Sequence, residues 1–115
     1  DLSWLQTPSD FKHSEHGFQS YPCLFKPNSI NHSNLCQINK ERNKWMQTLQ
    51  NRGISTRPST HAVHMLKYYK DKYKIKNHDF PNAYIANESS ISFPLFNGLT
   101  ELEQKYVIKA IKKIL

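Results

Sequence analysis

Glycine is scarce, at three residues in 115, and no G-x-G-x-x-G, GKS, GKT or G-x-S-x-G pattern occurs. A glycine-rich phosphate cradle and a nucleophile elbow are thereby excluded, because each needs bare backbone where a side chain would block the ligand. Cysteine is scarcer still. Cys23 and Cys36 are too few for a disulfide framework, and their separation is far wider than the C-x2–4-C of a zinc cage. No apolar run exceeds a few residues, so no helix is expected to span a membrane, and no secretory pattern is visible. These absences point to a soluble, cytoplasmic protein of a reducing compartment. Acid is the other deficit: nine Asp and Glu against sixteen Lys and Arg leave +7. Six histidines add charge below about pH 6.5.

A chain of 115 residues makes one domain, burying roughly two-thirds of its unfolded surface. Hydrophobic content of 37% and mean hydropathy of −0.73 are low for a folded domain but above those of a disordered tail. The chain opens on Asp1 rather than methionine, as a piece of something longer would. Residues 1–17 read as a lead-in with one short element at Leu2 to Leu5, and 18–115 as the folded unit.

From Phe18, FQSYPCLFK reads as an extended segment, with Pro22 arguing for an edge or bulge. Residues 27–37 are turn-formers. A helix follows, capped by Asn39 and striped with Ile38, Arg42, Trp45, Met46 and Leu49, until Gly53 stops it in the left-handed conformation. Ile54 to Arg57 is a short β-prone run ended by Pro58. Thr60 is a candidate cap for a helix striped with Ala62, Leu66, Tyr69 and Tyr73. Asp79 caps a third helix with Pro81 in its first turn. ISFPLF at 91–96 is a strand broken at Pro94. The final helix carries a capping box, Thr100 with Glu103, and an apolar face of Leu102, Tyr106, Val107, Ala110, Ile111 and Ile114. The expected class is α/β, in an α+β-like small domain: a small sheet, mixed or partly antiparallel, with helices packed on it.

The basic excess is concentrated in LKYYKDKYKIK, where Lys67, Lys70, Lys72, Lys74 and Lys76 alternate with aromatics. Lysine interleaved with tyrosine is one footprint of nucleic-acid binding, and a free-standing basic nucleic-acid module is the alternative function. The inward spacing of Tyr69 and Tyr73 argues instead for packing, with the lysines as a solvated face.

Arg57, Ser59, Thr60, His61 and His64 form the most concentrated reactive segment. A strand end meeting a helix start favours an anion, and a guanidinium adds a bidentate donor for phosphate or carboxylate. A substrate-binding lip, a merely structural cap and a metal pair compete here. The metal reading is the weakest, because no third ligand has a convincing spacing. His13 and His16 repeat the H-x-x-H spacing with the same shortfall. Asp71, Asp79, Glu101 and Glu103 read as surface or cap charges rather than an acid–base pair. No complete catalytic set is present.

Six segments occur in an order that resembles one family. They are R-x-x-x-M-x-x-L-x-x-x-G-I-S-T-R (Arg42 to Arg57), S-T-H-A-V-H (Ser59 to His64), Tyr68-Tyr69, D-F-P-N-A-Y-I-A (Asp79 to Ala86), S-I-S-F-P-L-F (Ser90 to Phe96) and L-T-E-L-E-Q-K-Y-V-I (Leu99 to Ile108). Together they are similar to the C-terminal end of the DegT/DnrJ/EryC1/StrS sugar aminotransferases, pyridoxal-phosphate enzymes of the aspartate-aminotransferase fold. The resemblance implies a C-terminal small domain at 18–115. Its large partner domain would carry the Schiff-base lysine, the acidic partner of the pyridine nitrogen and the phosphate site.

By that resemblance, pyridoxal 5′-phosphate serves the full-length enzyme, a homodimer acting on a nucleotide-linked keto-sugar and an amino-acid donor. This chain alone is expected to bind no cofactor and to be inactive. Many members carry His-Tyr, then Pro and His, where this chain has Ser59-Thr60, Ala62 and His64. Arg57, Thr60 and His61 are expected to face the nucleotide-sugar or cofactor side, with Ser59 and His64 completing the substrate-binding set. No catalytic residue and no metal ligand is expected.

Overall fold

Leu35, Ile38, Arg42, Trp45 and Leu49 recur at three- and four-residue intervals, and all five are buried on helix α1 (Leu35–Gln50). In this computed structural model, which describes residues 2–9, 12–31 and 33–113, α1 begins four residues before the expected Asn39 cap. The earlier start comes from an asparagine turn: Asn31 Oδ1 accepts from the amides of Ser33 and Asn34, and Asn34 Oδ1 accepts from the Asn31 amide. Such side-chain bonds order a turn that looks like plain loop in sequence. Asn39 lies inside the helix and donates to the Glu88 carbonyl at 3.3 Å. Gly53, at φ +75°, ends the helix as expected. The Ile54 amide bonds the Leu49 carbonyl at 3.0 Å, closing a Schellman-type turn.

The sheet is three-stranded and antiparallel, in the order β1 (Leu5–Gln6), β2 (Tyr21–Phe25), β3 (Ser90–Phe93). The expected small α/β layer is present, and no parallel pair occurs among the described residues. β2 is central, yet β1 reaches only Leu24 and Phe25. At Pro22 the strand therefore has no β1 neighbour, which is where a residue without an N–H is tolerated. All four residues of β3 are buried. Ile91 and Phe93 join Cys23, Phe25, Ile38, Trp45, Leu49 and Ile54 in the core. Trp45 is its aromatic hub, with ring centroids 5.0 Å from Trp4, 6.0 Å from Phe25 and 5.8 Å from Phe93. Trp4 and β1 tie the first residues to this core, and the Trp4 carbonyl accepts from the Lys26 amide at 2.6 Å.

Four expectations fail between Ile54 and Phe80. The run Ile54 to Arg57 forms a single bridge, Arg57 to Ser92: the next pair on one side would need an N–H from Pro94, which has none, and on the other the Ser59 amide goes to Ser90 Oγ. Thr60 caps no helix. The Ala62 amide is taken by Asn87 Oδ1 at 2.9 Å, a short 3-10 turn follows at Val63–Met65, and α2 (Lys67–Tyr73) starts only after Leu66. Tyr69 and Tyr73 do not pack inward. They are 36% and 56% exposed, and Tyr68 is 63% exposed. A later start turns the stripe around the axis, and seven residues are too few to reach the core. Asp79 closes the turn before α3 (Pro81–Ser89) by accepting from the Lys76 amide at 2.8 Å, and Phe80 takes the cap position.

Helix α4 (Glu101–Lys112) carries the expected capping box. Glu103 donates its amide to Thr100 Oγ1 at 3.3 Å, and Glu103 Oε2 accepts from the Thr100 amide and hydroxyl at 2.8 and 2.7 Å. Of the expected apolar face, Ala110 and Ile111 are buried and Val107 is half-buried. Leu102 is 80% exposed, and Tyr106 lies outward with its hydroxyl donating to the Arg52 carbonyl at 2.9 Å. Ile114 lies outside the described residues.

The Thr100 bonds hold the Glu103 carboxyl below the usual Glu range. A lowered folded value stabilises above the unfolded pKa and is lost as pH falls through the folded one. Thr100→Ala is expected to cost about 1 kcal/mol at pH 7, and the penalty should narrow as the solution is acidified past about pH 4. Urea denaturation of parent and variant at two pH values checks both statements.

Candidate functional site

The chain leaves α1 through Gly53, buries Ile54, and lays Ser55 to Ser59 along the outer edge of β3. Arg57 donates its amide to the Ser92 carbonyl at 3.4 Å and accepts from the Ser92 amide at 2.7 Å. Strand alternation then decides which side chains face this segment. Ile91 and Phe93 turn to the core, while Ser90 and Ser92 turn to residue 59. The Ser59 amide donates to Ser90 Oγ at 3.2 Å, and the Ser92 hydroxyl donates to Ser59 Oγ at 2.9 Å. Two buried serines in a strand are thus fully accounted for, as burial of hydroxyls requires.

The five residues singled out from sequence do not share one surface. Arg57, Thr60 and His61 are exposed, and Ser59 is half-buried against the serines of β3. His64 is buried, with Nε2 3.0 Å from the Asn77 carbonyl oxygen and its ring 5.1 Å from that of Phe80. The helix that would have made His61 and His64 neighbours does not form. One imidazole faces solvent and the other ties the 3-10 turn to the segment before α3. Among the described residues, no group of three His, Cys, Asp or Glu is arranged to hold a metal ion.

Arg57 lines a groove of ≈ 310 Å³ with Gln19, Ser20, Ser55, Thr56 and Ser92 on its polar side. Phe93, Pro94, Leu95 and Phe96 line the other side. Thr56 Oγ1 is buried there without a hydrogen-bond partner among the described residues, and a buried hydroxyl left unbonded costs about 1–3 kcal/mol. A guanidinium beside serine and threonine hydroxyls, faced by an apolar wall, suits an anionic ligand that also carries hydroxyl groups and a flat apolar part. Sequence reasoning found Arg57 but missed Thr56, Ser55 and Ser92. The ISTR and SISF runs read as strands, and nothing local reveals that one crosses the other at Arg57.

A second cavity, of ≈ 260 Å³, lies between the sheet and α4 and is lined mainly by apolar side chains including Leu5, Cys23, Val107 and Ile111. The Cys23 thiol on its wall is pushed up to about 11 by burial, so it is a packing group and not a nucleophile. Among the described residues, no helix is long and apolar enough to cross a membrane.

The sequence is 30% identical over 114 residues to the uncharacterized protein MJ1066 of Methanocaldococcus jannaschii. That alignment covers 99% of this chain and 28% of the relative, so the chain spans little more than a quarter of the protein it matches. The family model for the DegT/DnrJ/EryC1/StrS aminotransferases matches residues 12–112, a span that contains β2, β3 and all four helices together with the Arg57 groove between them, and the chain therefore belongs to that family.

Proposed function

We propose that this chain is the small domain of a pyridoxal-phosphate-dependent aminotransferase acting on a nucleotide-linked keto-sugar. In this reading residues 18–115 supply the substrate-side rim. The remainder of a longer polypeptide, paired as a homodimer, supplies the Schiff-base lysine. The reading draws its support from one observation: Arg57 is exposed on a groove that Ser20, Ser55, Thr56 and Ser92 also line. An electron sink oriented against two successive amine partners is what the cofactor brings when bound. The Arg57 groove is lined by no lysine and no carboxylate. It therefore offers neither an imine-forming amine nor an acid for a pyridine nitrogen, and it does not fit as a holder of the cofactor.

What the groove's own residues do follows from their chemistry. Arg57 binds the pyrophosphate or carboxylate of the incoming partner, and Thr56 bonds a hydroxyl or anionic oxygen next to it once its side chain, enclosed here, turns toward the groove. Phe96 and Leu95 keep water from the apolar side. Thr60 and His61 extend the rim at the surface. Ser59 and His64 act from behind it, the first by fixing the rim to β3 and the second by fixing the turn at Val63–Met65.

The test is calorimetric titration of the intact protein with a nucleotide-linked sugar. Arg57→Ala should weaken binding roughly tenfold to a hundredfold, the range for a lost charge-assisted bond. Thr56→Val removes the hydroxyl at nearly constant shape. It should weaken binding severalfold while leaving stability unchanged or slightly raised, because an unbonded buried group is gone. Equal affinities in parent and Arg57→Ala protein would remove the groove from the substrate site.

A further inference from the structure

On helix α2, Tyr68 and Lys72, and likewise Tyr69 and Tyr73, are four residues apart and so are neighbours on its surface, and ring contacts join the two pairs. None of the three tyrosines is buried. Tyr69 and Tyr73 lie nearly parallel, 13° apart with centroids at 6.3 Å, and Tyr68 meets Tyr69 edge-on at 5.2 Å. The Lys72 ammonium lies 5.5 Å from the Tyr68 ring centroid and 5.1 Å from that of Tyr73. The segment from Lys67 to Lys76 that carries these rings holds five lysines and a single acid, Asp71. Asp71 is engaged by Lys67 at 2.6 Å. Lys70, Lys72, Lys74 and Lys76 make no ion pair among the described residues.

We propose that this face of α2 binds single-stranded nucleic acid, with bases stacked on the exposed tyrosines and phosphates held by the four unpaired lysines. Two features choose this occupant over a protein partner. Protein interfaces enrich tyrosine but deplete lysine, whose hydration makes it a poor residue to bury. A groove or platform for a single strand uses both together, because every base has a π-face and every nucleotide carries a charge. A duplex would hide its bases from the rings. Four lysines spread over seven residues also exceed what one nucleotide's phosphates would need. The site is separate from the Arg57 groove and does not depend on the aminotransferase reading.

The experiment is fluorescence anisotropy of the 115-residue chain with a labelled twelve-nucleotide thymidine strand, titrated at several salt concentrations. Binding is expected at low salt, with a slope of log affinity against log salt near about −3, the value for four phosphates at about −0.7 each. Tyr69→Ala with Tyr73→Ala should lose roughly tenfold in affinity without changing the slope. Tyr68→Ala repeats the test at the most exposed ring, where folding is least at stake. Lys70→Gln with Lys74→Gln should flatten the slope by about one and a half. No anisotropy change at low salt overturns the proposal. Tyrosine variants that bind as the parent does, with heparin competing equally, reduce it to bulk charge attraction and overturn it too. Displacement of the strand by a nucleoside diphosphate at matching concentration would mark a mononucleotide site instead.

Discussion

Trp45→Ala should lose about 3–5 kcal/mol of stability, against a total of about 5–15 kcal/mol for a chain of this size. Its indole is 4% exposed and touches rings from three separate parts of the chain: Trp4 ahead of β1, Phe25 on β2 and Phe93 on β3. Truncation removes the large buried area of one ring and leaves three others around a void that cannot collapse without moving the sheet. The indole N–H finds no acceptor among the described residues, so no hydrogen bond is lost with the ring. Trp45→Phe is therefore expected to cost much less than Trp45→Ala, because it keeps a ring in the space and strands no hydrogen-bond partner. Guanidinium unfolding of the two variants measures the gap. Equal losses would mean that a phenylalanine ring does not fill the space the indole leaves.

The parts of the molecule legible in sequence are those whose cause is local. The stripe from Ile38 to Leu49, the Gly53 stop and the Thr100–Glu103 box each need only residues within a few positions of one another, and all are present. The parts that were not legible depend on distant partners. Residues 60–62 form no helix because Asn87 claims the Ala62 amide across 25 positions. The tyrosines of α2 lie outward, although their spacing is that of a core stripe. Leu102 and Tyr106 share the helical stripe of α4 but are exposed, while Ala110, Ile111 and Val107 reach the core. The candidate site divides in the same way. Arg57 was visible as a cation at a break between elements. Thr56 was not, because an unbonded hydroxyl is defined by what surrounds it.

Arg42→Met should cost about 2–4 kcal/mol, through polar groups stranded rather than volume lost. The guanidinium is 3% exposed. One of its terminal nitrogens donates at 3.0 Å to both the Asn87 and Ser90 carbonyls, and Nε and the other terminal nitrogen donate to Asn43 Oδ1 at 3.2 and 2.9 Å. Burial pulls its pKa down, with the Glu88 charge opposing. Methionine matches the stem and fills the space, but it leaves two carbonyls at the α3–β3 junction without their donor. Arg42→Lys should recover only part of the loss, since an ammonium lacks the planar fork that reaches both carbonyls and Asn43 together. The consequence extends to the groove. Arg42 holds the Asn87 backbone, and the Asn87 side chain holds the Ala62 amide at the end of the segment that carries Arg57. If residues 57–61 form the proposed substrate-side rim, Arg42 is a positioning residue for it. Arg42→Lys protein, at temperatures where it remains folded, should bind a nucleotide-linked sugar more weakly while Trp45→Phe protein binds as the parent does. Parallel titrations of the two variants separate a displaced rim from a merely weakened core.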